Sequence, residues 1–168
     1  ANIAIDLGMD VLGYDPYISV DAAWRLSRKV KHENSLDSLF KGSDYVSIHM
    51  PLTPDTKGII NKNTIAQMKD GACIINCARG ELVNNDDLKE ALKSGKISRY
   101  VTDFPVADLL GVEGVITIPH LGASTPEAED NCAIMASRQL TDYIENGNVA
   151  NSVNFPNLSG PTDYVHRV

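Results

Sequence analysis

Short apolar runs recur at five places along the chain, with turn residues or helical patterns between them. Several runs are apolar almost throughout, as strands covered on both faces of a sheet are. We therefore predict five β-strands, namely Val11–Tyr14, Tyr45–Ile48, Cys73–Asn76, Arg99–Thr102 and Val115–Ile118. The residues around Val30 form a sixth, weaker candidate.

Helical periodicity lies between the runs, and each predicted helix begins at a side chain that can cap free amide groups. The predicted helices run from Ser35 through Phe40, from Asn61 or Asn63 to Asp70–Gly71, from Asn85 to Gly95, and from Ser124 to Asn146–Gly147. The last begins with a capping-box pattern and carries Pro126 in its first turn. Alternating strands and helices indicate a Rossmann-type α/β fold, a doubly wound parallel sheet with helical crossovers.

Polar residues follow each predicted strand, and ligands of open parallel sheets bind outside the carboxyl ends of the strands. The residues at these positions are Asp15-Pro16, His49-Met50-Pro51, Cys77-Ala78-Arg79-Gly80, Asp103 and Pro119-His120-Leu121-Gly122. Because parallel strands end at one edge, these groups should converge there. The sequence thus predicts a single site built from five strand ends.

Three of these residues have distinct chemistry. Asp15 can bind an adenosine ribose diol and would repel a 2′-phosphate, which favours NAD over NADP; the alternative is a turn-initiating Asp-Pro. Arg79 offers a planar fork for a carboxylate, although a surface arginine is the simpler interpretation in isolation. His120 is the histidine best placed to carry a proton, whereas His49 should hydrogen-bond locally.

Composition narrows the function classes. A net charge of −7 argues against nonspecific binding to nucleic acid or anionic membranes, and no apolar run is long enough to span a bilayer. The cysteines Cys73, Cys77 and Cys132 form no CxxC pair, so we expect reduced thiols in a cytoplasmic protein, with no metal site. Cys77 as a nucleophile is the weaker alternative.

Several strings together resemble the D-2-hydroxyacid dehydrogenases. These strings are Gly13-Tyr14-Asp15-Pro16, Met50-Pro51-Leu52-Thr53, Asn76-Cys77-Ala78-Arg79-Gly80 and Pro119-His120-Leu121-Gly122-Ala123-Ser124-Thr125. The chain has no GxGxxG, so the resemblance implies a Rossmann domain truncated before its first strand and glycine loop. Residues 1–147 would be a partial NAD-binding domain, and residues 148–168 a linker toward a substrate or regulatory domain.

The resemblance also assigns roles. Arg79 would bind the substrate carboxylate and carbonyl, His120 would take the hydroxyl proton, and a carboxylate would hold the imidazole. The family pattern Asp-Val-Phe-x-x-Glu-Pro reads Asp103 to Asp108 here, which makes Asp108 the expected partner of His120 and Glu113 a second candidate. The residues expected to bind NAD are Asp15, Met50, Pro51, Cys77, Ala78, Arg79, Asp103, His120, Leu121, Gly122 and Ala123.

Within the family, the strings from Pro119 to Thr125 and from Asn151 to Pro156 imply oxidation of 3-phospho-D-glycerate in serine biosynthesis. The alternatives are a sister enzyme acting on hydroxypyruvate, glyoxylate or D-lactate, and a non-enzymatic NAD-sensing corepressor. The expected partners are a small 2-hydroxy or 2-keto acid and further copies of the chain, as a homodimer or larger oligomer. The segment from Tyr164 to Val168 is interpreted as the entry to a regulatory domain.

Overall fold

A computed structural model describes residues 1–160, and its helices alternate with strands that all pair in parallel. The strands are β1 Leu12–Gly13, β2 Lys31–His32, β3 Tyr45–Ile48, β4 Ala72–Asn76, β5 Ile97–Thr102 and β6 Val115–Thr117. The helices are α1 Asn2–Asp6, α2 Val20–Trp24, α3 Leu36–Gly42, α4 Lys62–Gln67, α5 Asn85–Ser94 and α6 Pro126–Asn146. The predicted α/β class with parallel strands is confirmed, and all six predicted strands are present.

The strands form two sheets. β1 pairs with β2 in a two-stranded sheet, and β3, β4, β5 and β6 lie side by side in that order. In the larger sheet, sequential strands are neighbours, so their carboxyl ends follow one another along a single edge. Short 3-10 helices at Gly80–Leu82 and Ala107–Leu109 follow β4 and β5 at that edge.

Local capping explains where the helices begin. The hydroxyl of Ser35 accepts from the amide of Ser38, as predicted, and Asn61 rather than Asn63 caps α4. Asn61 and Thr64 form a reciprocal capping box, in which each side chain bonds the backbone of the other. The predicted end of α4 at Asp70–Gly71 is wrong: Met68 is already extended (ψ 163°), and this conformation buries its side chain in the core.

Glycines end the two long helices as predicted. Gly95 follows α5 with φ 78° and Gly147 follows α6 with φ 65°, the left-handed conformation that glycine adopts without strain. At the start of α6 the capping residue is Thr125, which accepts from the amide of Ala128 and places Pro126 at the first helical position. The predicted start at Ser124 is therefore one residue early.

The core lies around β4 and β5 and the helices that cover them. Ile74, Leu82, Leu88 and Tyr100 are almost completely buried. β3 differs from the expectation of strands covered on both faces, because Val46 and Ile48 are buried while the alternate residues are exposed. α2 was not predicted, since its apolar residues do not face the core.

The chain divides into two compact units, residues 1–120 and the part that begins at Leu121. Within the second unit, α6 buries none of its residues, and Val149 and Leu158 form an antiparallel bridge. No helix among residues 1–160 is long and apolar enough to cross a membrane. The expected boundary at residue 147 stays a prediction, and the segment from Tyr164 to Val168 lies outside the described residues.

Candidate active site

Three neighbouring strands bring three of the predicted residues together. Cys77 follows β4, Asp103 follows β5, and His120 lies three residues beyond β6. Asp103 bonds His120 directly and also acts on Cys77: burial, and then the negative charge of Asp103, raise the pKa of the Cys77 thiol. The convergence predicted for these strand ends is therefore present at β4, β5 and β6.

Asp103 and His120 form the only ion-pair contact of the described chain that involves a histidine. Nδ1 of His120 lies 2.8 Å from Oδ2 of Asp103, and the side chains are 58% and 11% exposed, respectively. A carboxylate oxygen accepts, so this bond places the proton on Nδ1 and leaves Nε2 able to accept another. With this bond in place, Nε2 of the imidazole can accept a proton from a ligand.

The second oxygen of Asp103 has no partner among the described residues. Oδ1 is buried and makes no hydrogen bond, and the residue as a whole is only 8% exposed. A buried acceptor without a donor is costly. A donor supplied by a bound ligand would remove that cost, so the unpartnered oxygen makes Asp103 a candidate ligand contact.

Asp108, the carboxylate expected beside His120, lies elsewhere. It is exposed in the 3-10 helix Ala107–Leu109. Its charge acts on Lys89. The pKa of Lys89 is raised mainly by a hydrogen bond to Asp86 and, to a smaller extent, by the charges of Asp86 and Asp108. The structure thus brings Asp103 to His120 and does not bring Asp108 there; Glu113 is exposed as well.

The loop that carries Arg79 is built by Asn76, the last residue of β4. The amide of Asn76 donates to the carbonyl of Arg79 (2.8 Å) and to the hydroxyl of Tyr100 (3.2 Å), while its oxygen accepts from the backbone of Ala78 (3.1 Å). Asn76 is fully buried, and burial raises the pKa of the Tyr100 hydroxyl against the lowering effect of its hydrogen bonds to Asn76 and Thr102. This network fixes the backbone from which the exposed guanidinium of Arg79 extends.

Asn76 belongs to one of the strings that resemble the family, but no role was predicted for it from the sequence. The available signal was its position, because a polar amide that ends an apolar strand must find partners inside the protein. Arg79 itself donates from Nη1 to the carbonyl of Ala78 at 2.6 Å. Within residues 1–160 the remaining donors of its fork have no partner, so they can bind a ligand anion.

The other predicted cofactor contacts are spread over the first unit and the start of the second. Asp15 follows β1 and its Oδ1 accepts from the backbone of Tyr17 at 2.9 Å, so the turn-forming interpretation is realised while Oδ2 stays available. Met50 is half-buried and Pro51 exposed. His49 hydrogen-bonds Ser47 locally, as predicted. Three further residues, Leu121, Gly122 and Ala123, are exposed in the second unit.

A cavity of about 800 Å³ opens beside the Asp103–His120 pair. Its lining includes apolar side chains and polar ones, among them Lys57, Asn84, Asn85, Asp103, Phe104 and His120. A concave site with a few convergent polar groups is typical of small-molecule binding. At the carboxyl ends of parallel strands, such a cavity lies where open α/β domains bind their ligands.

The chain belongs to the family of D-isomer specific 2-hydroxyacid dehydrogenases, because the sequence model of that family's NAD-binding domain matches residues 1–122. It is therefore part of an NAD-dependent oxidoreductase family. This confirms the family predicted from the strings around Arg79 and His120, and the NAD cofactor predicted from Asp15.

Curated relatives include D-3-phosphoglycerate dehydrogenases. That of Methanocaldococcus jannaschii is 40% identical over 157 residues, which cover 90% of this chain and 30% of the relative. That of Haemophilus influenzae is 39% identical over 170 residues, with 95% and 40% covered. The chain thus spans between about a third and two fifths of the length of these relatives.

Solved structures of other family members are also similar. A glyoxylate reductase from Paecilomyes thermophila superposes with a TM-score of 0.75 at 28% identity, over 91% of this chain and 47% of that one. The apo-structure of D-lactate dehydrogenase from Escherichia coli gives a TM-score of 0.70 at 32% identity, over 87% and 46%. The fold is therefore shared by members that differ in substrate.

Proposed function

We propose that the protein containing this chain oxidises 3-phospho-D-glycerate to 3-phosphohydroxypyruvate, with NAD as the oxidant. The observation that carries the chemistry is the hydrogen bond between Asp103 and His120, at the strand end next to the one that bears Arg79. The substrate is supported by the curated relatives described above. We expect such an enzyme to act as a homodimer or larger homo-oligomer.

The residues present suit NAD. The buried Oδ1 of Asp103 lacks a donor, which the carboxamide of a nicotinamide would provide, and Asp15 offers an exposed carboxylate for a ribose diol. When bound, NAD supplies the hydride acceptor. Cys77 and Ala78 lie on the loop next to Asp103 and would border the cofactor.

The chain's own residues would divide the remaining work. Arg79 would bind the substrate carboxylate through its free donors, since a guanidinium matches a carboxylate in two parallel bonds. Nε2 of His120 would take the hydroxyl proton in the oxidation and return it in the reduction. Asp103 would stabilise the imidazolium formed, and Asp108, which the family pattern favoured for this role, is the alternative to be tested.

The substrate assignment is tested with the full-length protein, in the easier direction of keto-acid reduction. NADH consumption would be compared for phosphohydroxypyruvate, hydroxypyruvate, glyoxylate and pyruvate, and we expect the highest kcat/KM for phosphohydroxypyruvate. A preference for pyruvate or glyoxylate would replace the proposal with a sister dehydrogenase. NADH binding without turnover of any keto acid would favour the corepressor.

The matched control is His120→Ala in the same protein. Loss of general-base catalysis should lower kcat about a hundredfold or more. NADH affinity measured by fluorescence should fall far less than kcat, because the variant keeps Asp15 and Asp103. A variant with wild-type turnover would remove His120 from the mechanism.

A further inference from the structure

We propose that Phe104 is a positioning residue for the imidazole of His120, an inference that rests on the proton-transfer role proposed for that histidine. The two ring centroids lie 4.7 Å apart, with an interplanar angle of 48°. This separation falls in the range where aromatic rings attract one another. Phe104 follows Asp103 directly, so one short segment contacts the same imidazole twice.

The imidazole needs a second contact. Its side chain is 58% exposed, and among the described residues Asp103 is its single hydrogen-bond partner. One hydrogen bond fixes the position of Nδ1 but lets the ring tilt about that bond. A second ring in contact with the imidazole restricts the tilt, so the direction in which Nε2 points is set by Asp103 and Phe104 together.

The backbone holds Phe104 firmly enough for this role. Its amide donates to Oγ1 of Thr102 at 3.0 Å, and Thr102 is completely buried at the end of β5. Pro105 follows, and a residue before proline is confined to extended conformations. The side chain therefore starts from a backbone that is anchored on one side and restricted on the other.

Phe104 also borders the loop of Arg79. A Cβ atom added at Gly80 would lie 3.5 Å from Cβ of Phe104, so the backbone next to Arg79 packs beside this ring. Phe104 and His120 both line the 800 Å³ cavity as well. Phe40 is buried in the core, whereas Phe104 is half-buried, next to the backbone of Gly80 on one side and to the ring of His120 on the other.

The first test uses the unsubstituted protein, so it does not depend on the folding of a variant or on the substrate. Proton NMR should show nuclear Overhauser contacts between the Phe104 ring and the imidazole carbon protons of His120, together with ring-current shifts of those protons. Nitrogen NMR should show the proton on Nδ1 that the bond to Asp103 requires. Absence of the Phe104 contacts would overturn the proposal even if the enzyme proves fully active.

The second test compares Phe104→Leu with Phe104→Tyr, and uses Phe155→Leu at an exposed ring as the control for the same exchange. Phe104→Leu should lower kcat about two- to tenfold, the size of an aromatic contact expressed as a rate. KM for NADH should stay constant, and Nδ1 should stay protonated because the bond to Asp103 is kept. Carbon-13 relaxation should show that the imidazole of His120 moves more than in the unsubstituted protein.

Phe104→Tyr keeps the ring and should restore both kcat and the restricted motion of the imidazole, while Phe155→Leu should alter neither. A Phe104→Leu enzyme with unchanged kcat and unchanged imidazole relaxation would overturn the proposal. If the parent protein reduces no keto acid, the proposed function fails, and the imidazole relaxation of the same variants still decides the role of Phe104.

Discussion

Oδ2 of Asp103 lies 2.8 Å from Nδ1 of His120, and the buried carboxylate supports an imidazole that is mostly exposed. This difference in exposure is useful for proton transfer. The exposed ring can reach a substrate, while the carboxylate that bonds it is buried in the protein. Asp108 has the spacing from Asp103 that the family pattern requires, yet it is exposed and its charge acts on Lys89.

Two isosteric substitutions separate these carboxylates. In the full-length enzyme, Asp103→Asn should lower kcat roughly a hundredfold, because an amide can favour the wrong tautomer of His120 and cannot stabilise its charged form. Asp108→Asn should change kcat by no more than about twofold, as expected for an exposed group. Steady-state kinetics decide the matter: a large effect at Asp108 with a small one at Asp103 would reverse the assignment.

The loop of Arg79 can be loosened without touching Arg79. Asn76→Ala removes the donors to the Arg79 carbonyl and the Tyr100 hydroxyl, and should lower the free energy of unfolding by about 1–3 kcal/mol. KM for the keto acid should rise as well, since the guanidinium loses its fixed backbone. Both effects are measured, by denaturant unfolding and by kinetics.

Tyr100→Phe is the control for this substitution. It removes the hydroxyl bonded to Asn76 but leaves the bond from Asn76 to Arg79 intact. It should therefore reduce stability while KM stays near the wild-type value. An equal rise of KM in both variants would show that the Asn76–Arg79 bond does not position the arginine.

Gly114 precedes β6 and has a steric requirement that its neighbour Gly111 lacks. Both have positive φ (87° and 78°), but a Cβ at Gly114 would lie 3.0 Å from Leu92 and 3.2 Å from the carbonyl oxygen of Ser98, while one at Gly111 would meet nothing within 4 Å. Gly111→Ala should cost about 1–2 kcal/mol for the left-handed backbone alone. Gly114→Ala should cost a further amount of about 1–3 kcal/mol from crowding.

Thermal or urea unfolding of the two alanine variants provides the comparison. The same residue is introduced in the same loop, so the difference between them isolates the contact with Leu92 and Ser98. Equal losses of stability would mean that the chain before β6 relaxes freely.

The thiol of Cys77 should be slow to react near neutral pH. Burial, and then the charge of Asp103, raise its pKa above the ordinary value of 9.0. Only the thiolate is nucleophilic, so alkylation should be slow below that value and should rise at a higher pH than for a free peptide thiol. The rate would be measured with iodoacetamide in a Cys132→Ser variant. Cys77 is then the exposed thiol, because the remaining cysteine, Cys73, is buried.

Asp103→Asn in the Cys132→Ser background tests whether the charge of Asp103 raises the pKa of Cys77. Removing the charge should shift the rate profile of Cys77 toward lower pH, while the contribution of burial persists. A profile that is unchanged by the substitution would mean that Asp103 does not act on the thiol.

Local signals determined most of what the sequence predicted correctly. A hydroxyl or amide side chain before a helix, as at Ser35 and Asn61, and a glycine after one, as at Gly95, act over a few residues and are readable from the chain itself. Apolar runs located the strands for the same reason. The ends of β4, β5 and β6 could be grouped because parallel strands share an edge.

The features that the sequence did not predict depend on contacts between distant segments. α2 has exposed apolar residues, including Trp24 at 81% exposure, so no buried face produced a helical pattern. The end of α4 is set by the burial of Met68 in the tertiary structure. Spacing favoured Asp108 as the partner of His120, whereas the approach of Asp103 depends on the pairing of β5 with β6, in which Thr102 faces Thr117.

The division of the strands into two sheets has a consequence for how the molecule opens. β1 and β2 pair over two residues each, whereas β4 pairs over four residues with β3 and over five with β5. So short a ladder has little stability of its own. In native-state hydrogen exchange, the amides of Lys31 and Glu33, which bond across to the β1 segment, should therefore exchange well before those of Cys73 and Tyr100. The part of the domain that carries Asp15 would then open while the segment bearing Asp103 stays closed.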